Sequence, residues 1–143
     1  MSQVVRTAEQ GPWEQLYGYS RAVQAGPWVI TSGCTSMKDG IVTHVNDPAG
    51  QTKAAFRVAL DSLVEAGSGL SDVVRTRMYI VDVSSADAVG RAHGELFGLV
   101  QPVASVVPVP RLLHPDLLVC VEVEAYRDPG NEHANSSSVG DDT

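Results

Sequence analysis

The sequence predicts an α+β domain in which a mixed β-sheet carries two helices on one face. Three observations lead there. Two stretches have apolar residues at helical spacing, and three regions around them alternate with period 2 or are rich in β-branched residues. The order strands, helix, strand, helix, strands suits helices segregated to one side of a sheet. The last strand has one wholly apolar face and one bearing acids and a thiol, so its two sides meet different surroundings.

Residues 28–32 (Trp28, Val29, Ile30, Thr31, Ser32) are β-rich and end at Gly33, and residues 20–24 form a partner strand across the turn Ala25-Gly26-Pro27. From Asp47-Pro48 onward, Phe56, Leu60, Leu63 and Val64 recur at helical spacing with Ala55 and Ala59 beside them, and Gly67 to Gly69 supplies the stop. Residues 72–82 alternate, placing Val74, Thr76, Met78 and Ile80 on one face and Arg75, Arg77 and Tyr79 on the other. A second helix is indicated by Ala88, Ala92, Leu96 and Leu99, with Ser84 or Ser85 as cap and Pro102 beyond its end. Strands over 104–109 and 117–126 follow, joined by residues 110–116. On the last of these, Leu117, Val119, Val121, Val123 and Ala125 share a face, and Leu118, Cys120, Glu122, Glu124 and Tyr126 share the other. Two acids and a thiol on an interior strand point to a subunit interface or a ligand cleft, and so to an oligomer.

The 143 residues suffice for one domain and not for two. Residues 128–143 hold one aliphatic side chain, Val139, among Gly, Pro, Ser, Asn and acids, so a flexible acidic tail is expected after a domain spanning 1–127. Four of the seven net negative charges belong to that tail (Asp128, Glu132, Asp141, Asp142), leaving a mildly acidic body with scattered basic residues. Nucleic acid is therefore a poor partner, since its binding is dominated by clustered Lys and Arg. No apolar run approaches membrane-spanning length and the N-terminus has no basic start leading into an apolar segment, which predicts a cytoplasmic protein with no membrane partner. Cys34 and Cys120 lack CxxC spacing and are expected as free thiols.

Several residues have both a chemical and a plain reading. Cys120 is either a nucleophile with a lowered pKa or a small buried hydrophobe, and Cys34 either lines the same cleft or is a loop thiol. Glu122 and Glu124 are either a water-orienting acid and its neighbour or ion-pair partners of Arg75, Arg77 or Arg127 at an interface. Tyr19 is a cleft lid or a packed aromatic. The histidines His44, His93, His114 and His133 have no metal-ligand spacing, so no metal is expected, and His93 reads as a surface or packing residue of the second helix. Gly67-Ser68-Gly69 follows a helix and reads as a C-terminal cap, not a phosphate cradle. Trp13 and Trp28 read as core or interface anchors.

Taken together, GYSRAVQAGPWVITSG (18–33), DPAGQTKAAFRVALDSLVEAG (47–67), LSDVVRTRMYIVDV (70–83), VGRAHGELFG (89–98) and LLVCVEVEA (117–125) resemble, in this order, the RidA (YjgF) family of reactive-intermediate deaminases across nearly all of residues 15–127. The resemblance implies a chorismate-mutase-like fold, a homotrimer, and clefts between subunits that bind small carboxylates or imines. It also implies hydrolysis of enamines and imines to keto acids and ammonia, without a cofactor. Such chemistry needs an arginine to clamp a substrate carboxylate, a Glu to orient water, and backbone groups near a Gly for the oxygen that develops charge.

Deaminating members carry Pro-Ala-Arg-Ser/Thr where this chain has Pro102-Val103-Ala104-Ser105, so Ala104 takes the arginine position and the chain resembles an arginine-lacking branch. Arg111, seven residues on, belongs to a different segment. Keeping the spacing from the His114-Pro115 turn puts Cys120 at the family's first Glu and Glu122 at its second, whereas matching Val-Glu-Val-Glu-Ala puts Glu122 first and Glu124 second. The gapless register is preferred, and a carboxylate stays near the site under either. Tyr19 matches the family's cleft tyrosine, Ser32 and Gly33 its Ser-Gly, and Arg91 falls where deaminating members often place an asparagine. The expected site therefore has Cys120 and Glu122 as catalytic residues, with Tyr19, Ser32, Gly33, Arg91, Ala104 and Ser105 lining it. The expected ligand is an enamine, an imine or a related small molecule other than a simple 2-imino acid. The alternative is a non-catalytic binding or chaperone-like trimer. RNA cleavage, attached to some relatives of this fold, is disfavoured by the acidic balance.

Overall fold

A computed structural model describes residues 4–7 and 11–128, so the acidic tail expected over 128–143 lies, from 129 onward, outside the described residues. The chain order is β1 (Val4–Arg6), α1 (Pro12–Tyr17), β2 (Ala22–Ala25), β3 (Trp28–Thr31), β4 (Met37–Lys38), β5 (Ile41–Val42), α2 (Pro48–Glu65), β6 (Val73–Ile80), α3 (Ala86–Phe97), β7 (Val103–Pro108) and β8 (Val119–Tyr126). The main sheet has six strands in the order β1-β2-β3-β8-β6-β7, and β4 and β5 form a separate ribbon. All neighbouring pairs are antiparallel except β6 and β7, which run parallel because α3 carries the chain across between them. The sheet is mixed, as expected.

Local chemistry explains the turns. Gly26, at φ +61°, occupies the first position of the two-residue loop between β2 and β3, where a left-handed φ is required and Pro27 can follow. Asp39 (φ +53°) and Gly40 (φ +79°) join β4 to β5 with left-handed φ at both central positions, as a tight hairpin demands. α2 starts where the Asp47 carboxylate accepts a hydrogen bond from the Gly50 N–H (2.9 Å) with Pro48 in the first turn. Within α2, Gln51 is fully buried and fully used. Its Nε2 donates to the carbonyls of His44 (3.2 Å) and Asp116 (2.9 Å), and its Oε1 accepts from the Leu118 N–H (2.8 Å), which fastens the helix to the segment leading into β8.

α2 and α3 cover one face of the sheet. Ala55, Phe56, Ala59 and Leu63 of α2 and Val89, Ala92 and Phe97 of α3 are buried there with Met78 and Ile80 of β6 and Val119, Val121, Val123 and Ala125 of β8. Phe56 and Phe97 meet edge to face at 5.0 Å. His93 packs against both rings and shares a 2.8 Å hydrogen bond with Thr76 Oγ1, so its packing reading holds.

The structure corrects several expected core positions. A register irregularity between Val73 and Arg75 turns Val74 outward and Val73 inward, which simple alternation cannot reveal. Leu99 lies beyond the end of α3 and Val64 on the outer side of α2, both exposed, while Val89 and Phe97 take the core. Trp13 and Trp28 are exposed within the chain, so neither is a core anchor. Cys34 lies in the connection between β3 and β4, as a loop thiol would, yet it is fully buried and its backbone bridges Val121. Among the described residues no helix is long and apolar enough to cross a membrane.

Candidate functional site

Alternate residues of β6 and β8 face away from the helices. On this open face the strand register sets Arg77 opposite Glu122 and Tyr79 opposite Cys120, and from β7 it sets Ser105 beside Arg77. β3 completes the surface through an interruption in its ladder. Ile30 pairs with Glu124, the Val123 N–H then donates to Thr31 Oγ1 (3.0 Å), and regular pairing returns only at Cys34, which exchanges backbone hydrogen bonds of 2.7 and 2.8 Å with Val121. Ser32 and Gly33 are the residues left over opposite Glu122. A Cβ on Gly33 would stand 2.9 Å from Cys120 Sγ, closer than such atoms approach, so glycine is what lets the two strands close here. The fold thus brings Ser32, Gly33, Cys120 and Glu122 into one neighbourhood, and sets Ser105 in the same row two strands away, beyond Arg77.

Charge on this face is unevenly shared. The Arg77 Nη1 donates to Glu124 Oε1 at 3.0 Å and lies 3.9 Å from Glu122 Oε1, and Arg75 Nε lies 3.8 Å from Glu124 Oε2. Glu124 is therefore held by two guanidinium groups. Glu122 instead accepts a 2.7 Å hydrogen bond at Oε1 from the Tyr79 hydroxyl. That bond, more than burial, pushes the Tyr79 phenol above its ordinary pKa, so it remains an O–H donor at neutral pH. The ion-pair reading made for both acids describes Glu124 most fully; Glu122 has a longer pair with Arg77 at 3.9 Å, and its shortest contact is the Tyr79 hydroxyl.

Cys120 does not suit the nucleophile role. Burial first, then the charges of Cys34 and Glu122, push its thiol up to about 11, so it is protonated at neutral pH and forms part of the wall against Gly33. Burial likewise raises the Cys34 thiol, whose Sγ donates to the Ser32 carbonyl at 3.4 Å.

The remaining expected residues are placed as follows. Tyr19 is partly exposed and follows α1, its N–H bonded to the Glu14 carbonyl (3.0 Å), and burial with the nearby Glu14 charge raises its phenol pKa. Ala104 pairs with Thr76, whose side chain is buried on the helix side, so Ala104 stands on the helix side of β7 and is not brought into the row with Glu122. Arg91 is 79% exposed on α3 and bonded to Asp87 one turn earlier at 2.9 Å, on the helix-covered side and away from Glu122 within the chain.

Sequence reasoning overlooked three residues. Tyr79 was assigned to the correct face, but its link to Glu122 depends on a β6/β8 register that the sequence does not display. Glu14 and Arg21 form an ion pair at 3.2 Å in which Glu14 is only 6% exposed, and the six-residue α1 that carries Glu14 is too short to show a periodic pattern. Ser32 Oγ, Arg21 Nε and Glu14 Oε2 are buried without a hydrogen-bond partner among the described residues. No group of three or more His, Cys, Asp or Glu among the described residues could hold a metal ion.

Comparison with known proteins adds to this geometry. Residues 12–127 match the family model described as Endoribonuclease L-PSP. An uncharacterised protein of Streptomyces coelicolor is 44% identical over 127 residues, 88% of this chain and 95% of the relative. The 3-aminoacrylate deaminase RutC of Acinetobacter baylyi is 29% identical over 118 residues, 82% of this chain and 93% of that enzyme. A crystal structure from Mycobacterium tuberculosis, a member of the highly conserved YjgF family, superposes with a TM-score of 0.78 at 40% identity, covering 87% of this chain and 99% of that one.

Proposed function

Because the chain belongs to the Endoribonuclease L-PSP family, the YjgF/RidA proteins, we propose that it is a cytoplasmic homotrimer of the arginine-lacking branch that hydrolyses a small enamine or imine without an α-carboxylate in clefts between its subunits. The observation that carries the reading is Glu122, a carboxylate on the open face held at 2.7 Å by the Tyr79 hydroxyl and set against Ser32 and Gly33. Glu122 takes a proton from water as the water oxygen adds to the C=N carbon, and returns it to nitrogen. Collapse of the carbinolamine then gives the carbonyl compound and ammonia, one water being consumed per imine. Ser32, Gly33, Tyr19 and Ser105 shape the cleft, and Cys120 forms its wall. The name of the Acinetobacter relative, a 3-aminoacrylate deaminase, supports this reaction class.

Ala104 supports the restriction on substrate: exposed on the edge strand β7 and across the sheet from Glu122 of its own chain, it borders a cleft that a neighbouring copy completes. An anionic substrate that loses the charge-assisted hydrogen bonds of a guanidinium forgoes about 1.5–3 kcal/mol, roughly one to two decades of affinity. Arg75 and Arg77 are engaged by Glu124 and Arg21 by Glu14, so none of them stands as a ready replacement. The same alanine favours a second reading, a non-catalytic binding trimer. RNA cleavage draws no support from a chain of net charge −7 whose two open-face arginines, Arg75 and Arg77, stand against two acids, Glu122 and Glu124.

The deciding experiment compares keto-product release from two freshly generated imines, one with an α-carboxylate and one without, in the presence and absence of protein. Acceleration of only the carboxylate-free imine is expected. Acceleration of the 2-imino acid would show that another group replaces the arginine, with Arg91 and Arg111 the next substitutions, and acceleration of neither would favour the binding trimer.

A further inference from the structure

The β6/β8 register places Arg77 directly across from Glu122, yet the two side chains that lean along the strands change the pairing. Arg77 reaches diagonally to Glu124, and Tyr79, whose direct partner is Cys120, reaches diagonally to Glu122. The consequence is chemical. The Glu124 carboxylate is engaged through both oxygens by guanidinium groups, whereas the Glu122 carboxylate is held chiefly by a phenol at one oxygen, which restrains its rotation and leaves the other for a further donor.

We propose that Tyr79 is a positioning residue for Glu122, fixing Oε1 through its hydroxyl so that Oε2 is presented to the water that attacks the imine. This rests on the reading of Glu122 as the water-orienting acid. Both contacts to the Glu122 carboxylate, from Tyr79 at 2.7 Å and Arg77 at 3.9 Å, fall on Oε1, and none among the described residues falls on Oε2. The Tyr79 O–H bond stays intact throughout. The proton moves from water to Glu122 Oε2 and on to the imine nitrogen, which regenerates the carboxylate; the carbinolamine hydroxyl proton then follows the same route to nitrogen as the C–N bond breaks, and ammonia leaves with the carboxylate again free.

The test is Tyr79→Phe in the full chain, with kcat and KM measured on the carboxylate-free imine and folding followed by circular dichroism. A loosened carboxylate should lower kcat about ten- to a hundredfold and leave KM nearly unchanged, because the ring beside Glu122 remains. A structural role alone would lower the melting temperature and leave kcat per folded molecule intact, and that result overturns the proposal. In a second arm, tyrosine absorbance is titrated in wild type, Tyr79→Phe and Glu122→Gln. The phenol absent from Tyr79→Phe should titrate lower in Glu122→Gln than in wild type, and a phenol indifferent to Glu122→Gln overturns the pairing. Wild-type protein that hydrolyses neither imine defeats the functional reading and the positioning role together, whereas an active wild type with unchanged kcat in Tyr79→Phe defeats the positioning role alone.

Discussion

Within β8, Val119, Val121, Val123 and Ala125 are fully buried beneath the helices, and Cys120, Glu122, Glu124 and Tyr126, each one residue further along, stand on the face no helix covers. β6 divides in the same way, with Thr76, Met78 and Ile80 inward and Arg75, Arg77 and Tyr79 outward. Two strands therefore supply both the packing that holds the domain together and the polar constellation that is its candidate site. Because their side chains alternate, the two sets are separated by one backbone and can be altered almost independently.

Substitution on the covered face should produce the largest effect on stability. Phe56 is fully buried against Phe97 and His93, so Phe56→Ala should cost about 3–5 kcal/mol, read from the midpoint of denaturant unfolding. Glu122→Gln on the open face should move that midpoint by less than about 1 kcal/mol while lowering imine hydrolysis about a hundredfold or more. Equal destabilisation by the two would break the division between the faces.

Gly33→Ala tests the place where the open face is closed by β3. The new methyl would meet Cys120 Sγ at 2.9 Å, and the crowding should cost about 1–3 kcal/mol. Adding Cys120→Ala should recover part of that loss in a double-mutant cycle, since it removes the atom that is struck. A cycle without coupling would mean that the strain is relieved elsewhere.

His93 sharpens the comparison from the covered side. Burial lowers its pKa, so the folded state favours the neutral ring. Its contribution to stability is therefore complete above the unfolded value of about 6.5 and is lost as the pH falls from there toward the lower folded value. Thermal melts across pH 7.5 to 5 should show a steeper decline in wild type than in His93→Gln. Parallel declines would assign the acid sensitivity to other groups.

How much of this was legible in the sequence follows from the length of each pattern. The long helix α2, the alternation in β6 and the two unlike faces of β8 span eight or more residues each, enough for periodicity to identify them. The ribbon of β4 and β5, two residues per strand, and the short α1 carry no period, although Asp39-Gly40 was a turn signal that could have revealed the ribbon. The site was partly legible because Glu122, Cys120, Ser32 and Gly33 belong to segments with a family resemblance. The division of labour between Glu122 and Glu124 was not, since it depends on which arginine leans where across paired strands. For Ala104 and Arg91 the resemblance supplies positions along the chain, whereas their distance from Glu122 depends on the sheet between them and on how copies of the chain meet.

Arg91→Ala should have the smallest effect of all. The residue projects from the outer surface of α3, and its pair with Asp87 is solvent-exposed on both sides, so removing it should change stability by no more than about 0.5 kcal/mol. Imine hydrolysis and ligand affinity should match wild type, because within the chain the sheet separates Arg91 from Glu122. Titration of ligand into the purified variant would check this directly. A clear loss of affinity would mean that Arg91 serves a cleft on a neighbouring copy, and the helix-covered face would then contribute to the site as well as to the core.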